Sequence, residues 1–211
     1  MEIENTPQRR RGRPPKDTEG YGKTREALVR AGLEVLTEKG YTATGLDEIL
    51  KRVSVPKGSF YHYFESKDAF GLELIDTYAA YFARKLDRYL TDESMPPLQR
   101  LRAFTIDAEA GMAKYQYRRG CLVGNLGQEV SALPELFRER LEAVFADWQA
   151  RVEKCLQAAK DKGEISPWAQ CARLAEVFWI GWEGAVLRAR LDQGPEPLRS
   201  FAEFYLSELA H

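Results

Sequence analysis

Apolar residues along this chain recur at intervals of three and four and almost nowhere at intervals of two, the periodicity of helices rather than strands. From Lys23 to Lys39 the positions Leu28, Ala31, Val35 and Leu36 share one helical face, and Gly40 follows as a stop. Leu46, Ile49, Leu50 and Val53 predict a short second helix, broken at Ser54-Val55-Pro56 because the residue before a proline is pushed out of helical geometry. Lys57 to Phe64 predicts a third, shorter helix. Ser66 is placed to cap a fourth, with Asp68 in its first turn and a stripe of Phe70, Leu74, Tyr78, Phe82 and Leu86 running to about Leu90. Beyond Met95-Pro96-Pro97, Leu101, Phe104, Ala108 and Met112 mark a further helix, and Leu122 to about Ala132 another, ended near Pro134. Two long patterns follow. The first runs through Leu141, Val144, Phe145, Trp148, Val152, Cys155, Leu156 and Ala159; the second through Leu174, Val177, Phe178, Gly181, Trp182, Ala185 and Ala189. A last helix from about Leu198 to Leu209 closes the chain.

The expected fold is all-α: a small three-helix N-terminal domain, within which a short helix, a tight break and a second short helix form a helix-turn-helix, and a larger helical domain behind it. The expected boundaries are 1–22 for an unstructured arm, 23–68 for the small domain and 69–211 for the large one. Hydrophobic residues at 44% and charged residues at 30% are ordinary for a soluble globular protein. No apolar run is long enough to cross a bilayer, and the first sixteen residues lack the apolar core of a signal peptide, so a cytoplasmic protein is expected.

The net charge of −1 conceals an uneven distribution. Residues 1–67 carry 13 Lys/Arg against 10 Asp/Glu, whereas the remainder carries 18 against 22, so the basic end is the front and suits phosphates. Three cysteines, Cys121, Cys155 and Cys171, have neither the number nor the spacing of a disulfide framework or a zinc site. With His62 and His211 as the only histidines, and no glycine-rich phosphate loop, the chain reads as a non-enzyme without metal or cofactor.

Candidate DNA contacts cluster in the helix-turn-helix. Lys57 and the amides of Gly58 and Ser59 stand at a helix start, where the dipole favours a phosphate or a base edge. Tyr61, His62 and Tyr63 lie on a helix too short to bury all three, which leaves rings to reach phosphates, bases or thymine methyls. Thr44 and Lys67, at the starts of the second and fourth helices, are candidate phosphate clamps. Phe60 and Phe64 read as core. Upstream, Arg11-Gly12-Arg13-Pro14 matches the core of a minor-groove hook, with Arg11 and Arg13 entering a narrow A·T groove; a solubilising tail fits the same residues.

Thr44-Gly45-Leu46-Asp47-Glu48-Ile49-Leu50, then Val55 to Phe64 and Ser66-Lys67, resembles the N-terminal signature of the TetR family of bacterial repressors over about Lys23 to Phe70. Arg119-Gly120-Cys121-Leu122 with Glu129, and Phe178 to Ala185, resemble more closely a branch that responds to acrylate and other electrophiles. This resemblance implies a dimeric repressor in the bacterial cytosol, associated with the nucleoid, that holds a palindromic operator in double-stranded DNA and is released by a small-molecule inducer. It implies pairing of the last two long helices, about 136–162 and 168–191, with their copies, although part of the stripe from Leu141 to Ala159 must serve as the protomer's own core. It also makes Cys121 the counterpart of a reactive cysteine, although a buried small hydrophobe fits that position as well. In that branch a lysine stands where this chain has Arg190, and a permanently protonated arginine is a poor nucleophile. Candidate pocket residues are Tyr115, Trp148, Trp179 and Trp182, with polar Arg118, Arg119, Cys121, Asn125, Gln128 and Glu183. A nearby arginine and a helix N-terminus predict a lowered Cys121 pKa. Release by acrylate, its coenzyme A thioester or another electrophile is the expected response; oxidation at Cys121, or activation in place of repression, is the alternative.

Overall fold

A computed structural model describes residues 18–209, which form nine α-helices and no strand. The arm residues Arg11 and Arg13 lie outside the described residues. The helices are α1 (Thr18–Lys39), α2 (Leu46–Arg52), α3 (Lys57–Phe60), α4 (Lys67–Leu90), α5 (Pro97–Ala113), α6 (Leu122–Gln128), α7 (Glu135–Asp161), α8 (Cys171–Asp192) and α9 (Glu196–Leu209). A single 3-10 turn at Val130–Ala132 follows α6.

The head is built from α1, α2, α3 and the first turns of α4. Leu28 and Leu36 of α1, Ile49 of α2, Phe60 of α3 and Phe70 and Leu74 of α4 are fully buried together. Phe60, Phe64 and Phe70 pack ring against ring, with centroids 4.5–5.4 Å apart. Ser54, at φ 54°, turns the chain between α2 and α3 in the left-handed region that L side chains seldom adopt. Ser66 caps α4 as its sequence position requires, accepting a hydrogen bond from the Ala69 amide at 2.9 Å.

Two helix ends differ from the periodicity. α1 starts at Thr18 rather than Lys23, and its added turn places Tyr21 against Tyr63, with ring centroids 4.7 Å apart. α3 ends at Phe60 rather than Phe64, and Tyr61 to Tyr63 continue it as a turn.

The rear domain packs α4, α5, α7, α8 and α9 around a nest of aromatic rings. Trp148 of α7 and Trp179 of α8 lie 5.0 Å apart, flanked by Phe82, Phe104 and Phe178. The α7 stripe Leu141, Val144, Trp148, Val152, Cys155, Leu156 and Ala159 is buried within the protomer. The exposed large apolar side chains include Val177, Ile180 and Leu191 on α8 and Phe204 on α9, besides Leu136 on α7, Ile106 on α5 and Trp168 before α8. Gly184 opens on the same side with nothing near it, whereas Gly181 is covered by Phe201 of α9.

Candidate functional site

The exposed face of the helix-turn-helix comprises Lys57, Gly58, Tyr61 and His62. Tyr61 is 57% exposed, unusual for a ring with a buried alternative. Nothing stands within 4 Å of the place where a Gly58 Cβ would sit, so an approaching surface can come up to the backbone there. Lys57 is an exposed cation held 3.1 Å from Asp47. Ser59 is half-buried and its amide donates to the Pro56 carbonyl at 2.9 Å, which takes that N–H away from a phosphate.

Three other expected DNA contacts are committed to the protein itself. Thr44 is buried and its hydroxyl donates to the Gly40 carbonyl at 2.6 Å, closing the loop between α1 and α2; this corrects its reading as a phosphate clamp. The Lys67 ammonium donates to the carbonyls of Thr44 (2.8 Å) and Tyr41 (3.3 Å) and sits 4.3 Å above the Tyr41 ring. It fastens that loop to α4 instead of reaching outward. Tyr63 is half-buried under Tyr21, whose hydroxyl donates to the His62 carbonyl at 2.9 Å.

A cavity of about 830 Å³ lies between the head and the rear domain. Its walls come from Val29, Leu33 and Thr37 of α1, Tyr78 and Phe82 of α4, Met112 of α5, and Trp182, Glu183 and Val186 of α8. Three of the cations in its lining are paired. Arg25 binds Glu73, Lys85 lies 2.6 Å from Asp107, and Arg119 lies 3.6 Å from Glu34 while stacking 4.1 Å over the Tyr115 ring. Apolar walls with a few polar groups are the usual constitution of a small-molecule site.

Cys121 closes the buried end, where Glu183 and Tyr78 meet it. Burial and the neighbouring Glu183 carboxyl push the Cys121 thiol well above its ordinary value, even though it caps α6 and accepts the Gly124 amide at 3.5 Å. This reverses the lowered pKa expected from the sequence: Arg119, the arginine invoked, is committed to Glu34 and Tyr115. Burial pushes the Glu183 carboxyl up to about 7, against which its hydrogen bond with Cys121 acts. It pushes the Tyr78 phenol up as well, reinforced by the charges of Cys121 and Glu183.

Of the expected pocket residues, Tyr115, Arg119, Cys121, Trp182 and Glu183 line the cavity. The other five do not. Trp148 and Trp179 are core, with indole N–H groups that find no partner in the protein. Arg118 and Gln128 are exposed, and the Gln128 amide donates back to the Gly124 carbonyl at 3.3 Å.

Asn125 is buried and serves as a fastener. Its amide donates to the carbonyls of Leu36 (3.2 Å) and Thr37 (2.9 Å) in the last turn of α1, and its oxygen accepts Arg190 Nη1 at 2.7 Å. Arg190 Nη2 donates to the Glu38 carbonyl at 2.8 Å, and the Gly120 amide to that of Thr37 at 3.0 Å. The last carbonyls of a helix lack partners within it and form the negative end of its dipole, so a guanidinium and an amide are suited to them. Glu129 takes the next two residues: it accepts the amides of Tyr41 (3.1 Å) and Thr42 (2.7 Å) and the Thr42 hydroxyl (2.8 Å). Gly40 is required between them. Its φ is 82°, and a Cβ there would sit 1.7 Å from the Glu129 carboxylate.

The α1 grips of Asn125 and Arg190, and the wall residue Tyr78, carried no separate sequence signal. Side-chain bonds to a distant backbone leave no periodicity to read.

The N-terminal segment, residues 28–74, matches the family described as bacterial regulatory proteins, tetR family. Residues 97–205 match the tetracyclin repressor-like C-terminal domain. The chain is 54% identical to the transcriptional regulator AcuR of Cereibacter sphaeroides over 93% of its own length and 89% of the relative's. It is 33% identical to the repressor DhaR of a Mycobacterium species, covering 84% of this chain and 87% of that one. With the repressor NemR of Escherichia coli it shares 30% identity, covering 84% and 89%. Among solved structures, a regulatory protein TetR from Rhodobacter sphaeroides superposes with a TM-score of 0.86 at 55% identity, over 87% of this chain and 97% of that one. The reduced form of Escherichia coli NemR superposes with a TM-score of 0.78 at 29% identity, over 88% and 96%. These relatives are regulators, not enzymes, and no helix among the described residues is long and apolar enough to cross a membrane. The chain belongs to the TetR family of bacterial transcriptional regulators.

Proposed function

We propose that this protein is a dimeric repressor that holds a palindromic operator through α3 and the turn after it and lets go when a small molecule fills the cavity between head and rear domain. The observation that carries this reading is the cavity's construction: α1, which bears the head, supplies one wall, and α4, α5 and α8 of the rear domain supply the others. A ligand that presses on α1 acts directly on the element that orients α2 and α3. Lys57, Gly58, Tyr61 and His62 are the contacts best placed for DNA, with the hydroxyl of Ser59 and the ring of Tyr63 behind them. Arg11 and Arg13 would follow the minor groove.

Two heads must be held about one helical turn of DNA apart, so a second copy is part of the function. The exposed apolar face of α8 and α9 supports that pairing, and Gly184 lets backbones approach within it. A repressor of this kind works in the bacterial cytosol, on the nucleoid.

The likeness to the electrophile-responsive branch supports an inducer related to acrylate. The cavity falls within the roughly 300–1,000 Å³ that binding sites for larger organic ligands occupy, which favours the coenzyme A thioester over the free three-carbon acid. The raised Cys121 pKa weighs against oxidation of a resting thiolate as the signal. The test is binding to DNA upstream of the protein's own gene at moderate, fixed salt, with and without acrylate and acryloyl coenzyme A. Loss of binding with acryloyl coenzyme A, and less with free acrylate, is expected. Persistent binding would reject this inducer class, and no binding to promoter DNA would reject the repressor reading; a transcription assay then separates repression from activation.

A further inference from the structure

The buried end of the cavity holds three polar side chains from three elements: Cys121 before α6, Glu183 of α8 and Tyr78 of α4. The Glu183 carboxyl lies so close to Gly124 that a Cβ there would be 2.0 Å from it. It stands beside the Cys121 thiol, which in turn neighbours the Tyr78 hydroxyl. Both are acids themselves, and neither supplies positive charge. Three of the cations lining the cavity are turned elsewhere, Arg119 to Glu34, Lys85 to Asp107 and Arg25 to Glu73, and the fourth, Arg30, is exposed to solvent. Arg190 passes its Cδ near Gly120 but delivers its guanidinium to Asn125 and the Glu38 carbonyl.

An anion reaching this end would therefore lose its water and meet a carboxyl, while Arg30, the lining arginine without an ion pair among the described residues, is exposed to solvent. We propose that Glu183 sets the class of inducer: the buried end admits an uncharged polar group, such as the carbonyl of an ester, thioester, amide or ketone, and turns away a carboxylate. The proposal rests on the reading of this cavity as the inducer site. In its protonated form the Glu183 carboxyl donates to a ligand carbonyl, and in its ionised form it repels a second carboxylate. Its pKa, pushed up to about 7, makes the exclusion stronger at pH 8 than at pH 6. The groups facing it in that range are the Cys121 thiol and the Tyr78 phenol, both pushed up and uncharged.

Cys121 is a built-in reporter for this field. Iodoacetamide and iodoacetate alkylate a thiol by the same step, in which sulfur displaces iodide, an S–C bond replaces C–I, and the thiol proton passes to Glu183 or water. The two reagents differ in charge. Full-length protein is treated with each, the Cys121 peptide is followed by mass spectrometry, and glutathione serves as the reference thiol; Cys155 and Cys171 fall in separate peptides. At pH 7.5 the preference of Cys121 for iodoacetamide is expected to exceed that of glutathione by about tenfold or more, the effect of little over 1 kcal/mol of repulsion. Glu183→Gln should bring it close to the glutathione value. Should that variant fail to fold, the wild-type preference, corrected by glutathione, must rise from pH 6 to pH 8. A preference equal to that of glutathione, one unchanged by the substitution or by pH, or no alkylation of Cys121 by either reagent overturns the proposal. None of these outcomes depends on operator release, whose failure is read separately in the DNA assay.

Discussion

The head and the rear domain of this protein solve opposite problems with the same secondary structure. The head keeps its working surface outside: α2 and α3, of seven and four residues, are too short to persist alone, and each spends its apolar residues on a small phenylalanine core. The rear domain keeps its working surface inside, walled by helices of 17 to 27 residues packed on a tryptophan core. An exposed site can be changed without cost to folding, whereas a buried site shares its walls with the core. The two regions meet where Asn125 and Arg190 grip the last turn of α1 and Glu129 grips Tyr41 and Thr42 just after it, so whatever moves the cavity walls is transmitted to that end of the head.

The largest expected effect tests how far the rear domain depends on its core. Trp148→Ala removes a fully buried indole and is expected to cost about 3–5 kcal/mol in urea denaturation at fixed protein concentration, with DNA binding lost as the protein unfolds. Trp148→Phe should cost much less, because the indole N–H it removes has no partner to lose. Equal losses for the two would show that the packing around this ring is not what holds the domain.

Next is the charge inside the cavity. The Glu183 carboxyl holds its proton in the folded chain up to about pH 7 but loses it near 4.5 when unfolded. The stability this lends is fully present below about pH 4.5 and is lost as the pH rises through 7. Wild type relative to Glu183→Gln should therefore lose about 2–3 kcal/mol between pH 5 and pH 8. A difference that stays flat with pH would place the carboxyl in water.

The same contrast governs what could be read from the sequence. Helix periodicity reports which face is buried but not against what, so the α7 stripe was as consistent with a second copy as with the protomer's own Trp179 and Phe82. Three- and four-residue spacing located the helices of the head, though not the start of α1 or the end of α3, because its core is local, with Phe60, Phe64 and Phe70 near one another in the chain. Thr44 and Lys67 escaped the same reasoning: a polar residue at a helix start looks alike whether it meets phosphate or, as here, the carbonyls of Gly40, Tyr41 and Thr44. For Cys121 the local rule pointed to a thiolate, and desolvation with Glu183, distant in sequence, prevailed over it.

On the outer surface of the head the effects on folding shrink while those on DNA binding persist. Lys57→Ala removes an exposed cation whose ion pair with Asp47 is itself exposed, so stability should change by no more than about 0.5 kcal/mol. Operator affinity should fall by about tenfold, and if Lys57 meets a phosphate the slope of log K against log salt should decrease by about one. An unchanged affinity with an unchanged slope would move the DNA contact off the start of α3.

Ser54→Gly is expected to have the smallest effect, and it separates the geometry of the head from its contacts. Ser54 sits at φ 54° between α2 and α3, where a Cβ crowds the following carbonyl at a cost of roughly 1 kcal/mol. Glycine removes that crowding but gives the unfolded chain more freedom, so the net gain should be only about 0.5 kcal/mol. Val55 already holds the turn through its amide bond to the Leu50 carbonyl at 3.0 Å, so α3 should keep its angle to α2 and operator affinity should not change. Measured by thermal denaturation beside a DNA titration, a small gain in stability with constant affinity would mean that the turn is strained but already set for DNA. A loss of affinity without loss of stability would mean instead that the serine side chain, and not only the backbone it bends, belongs to the reading surface.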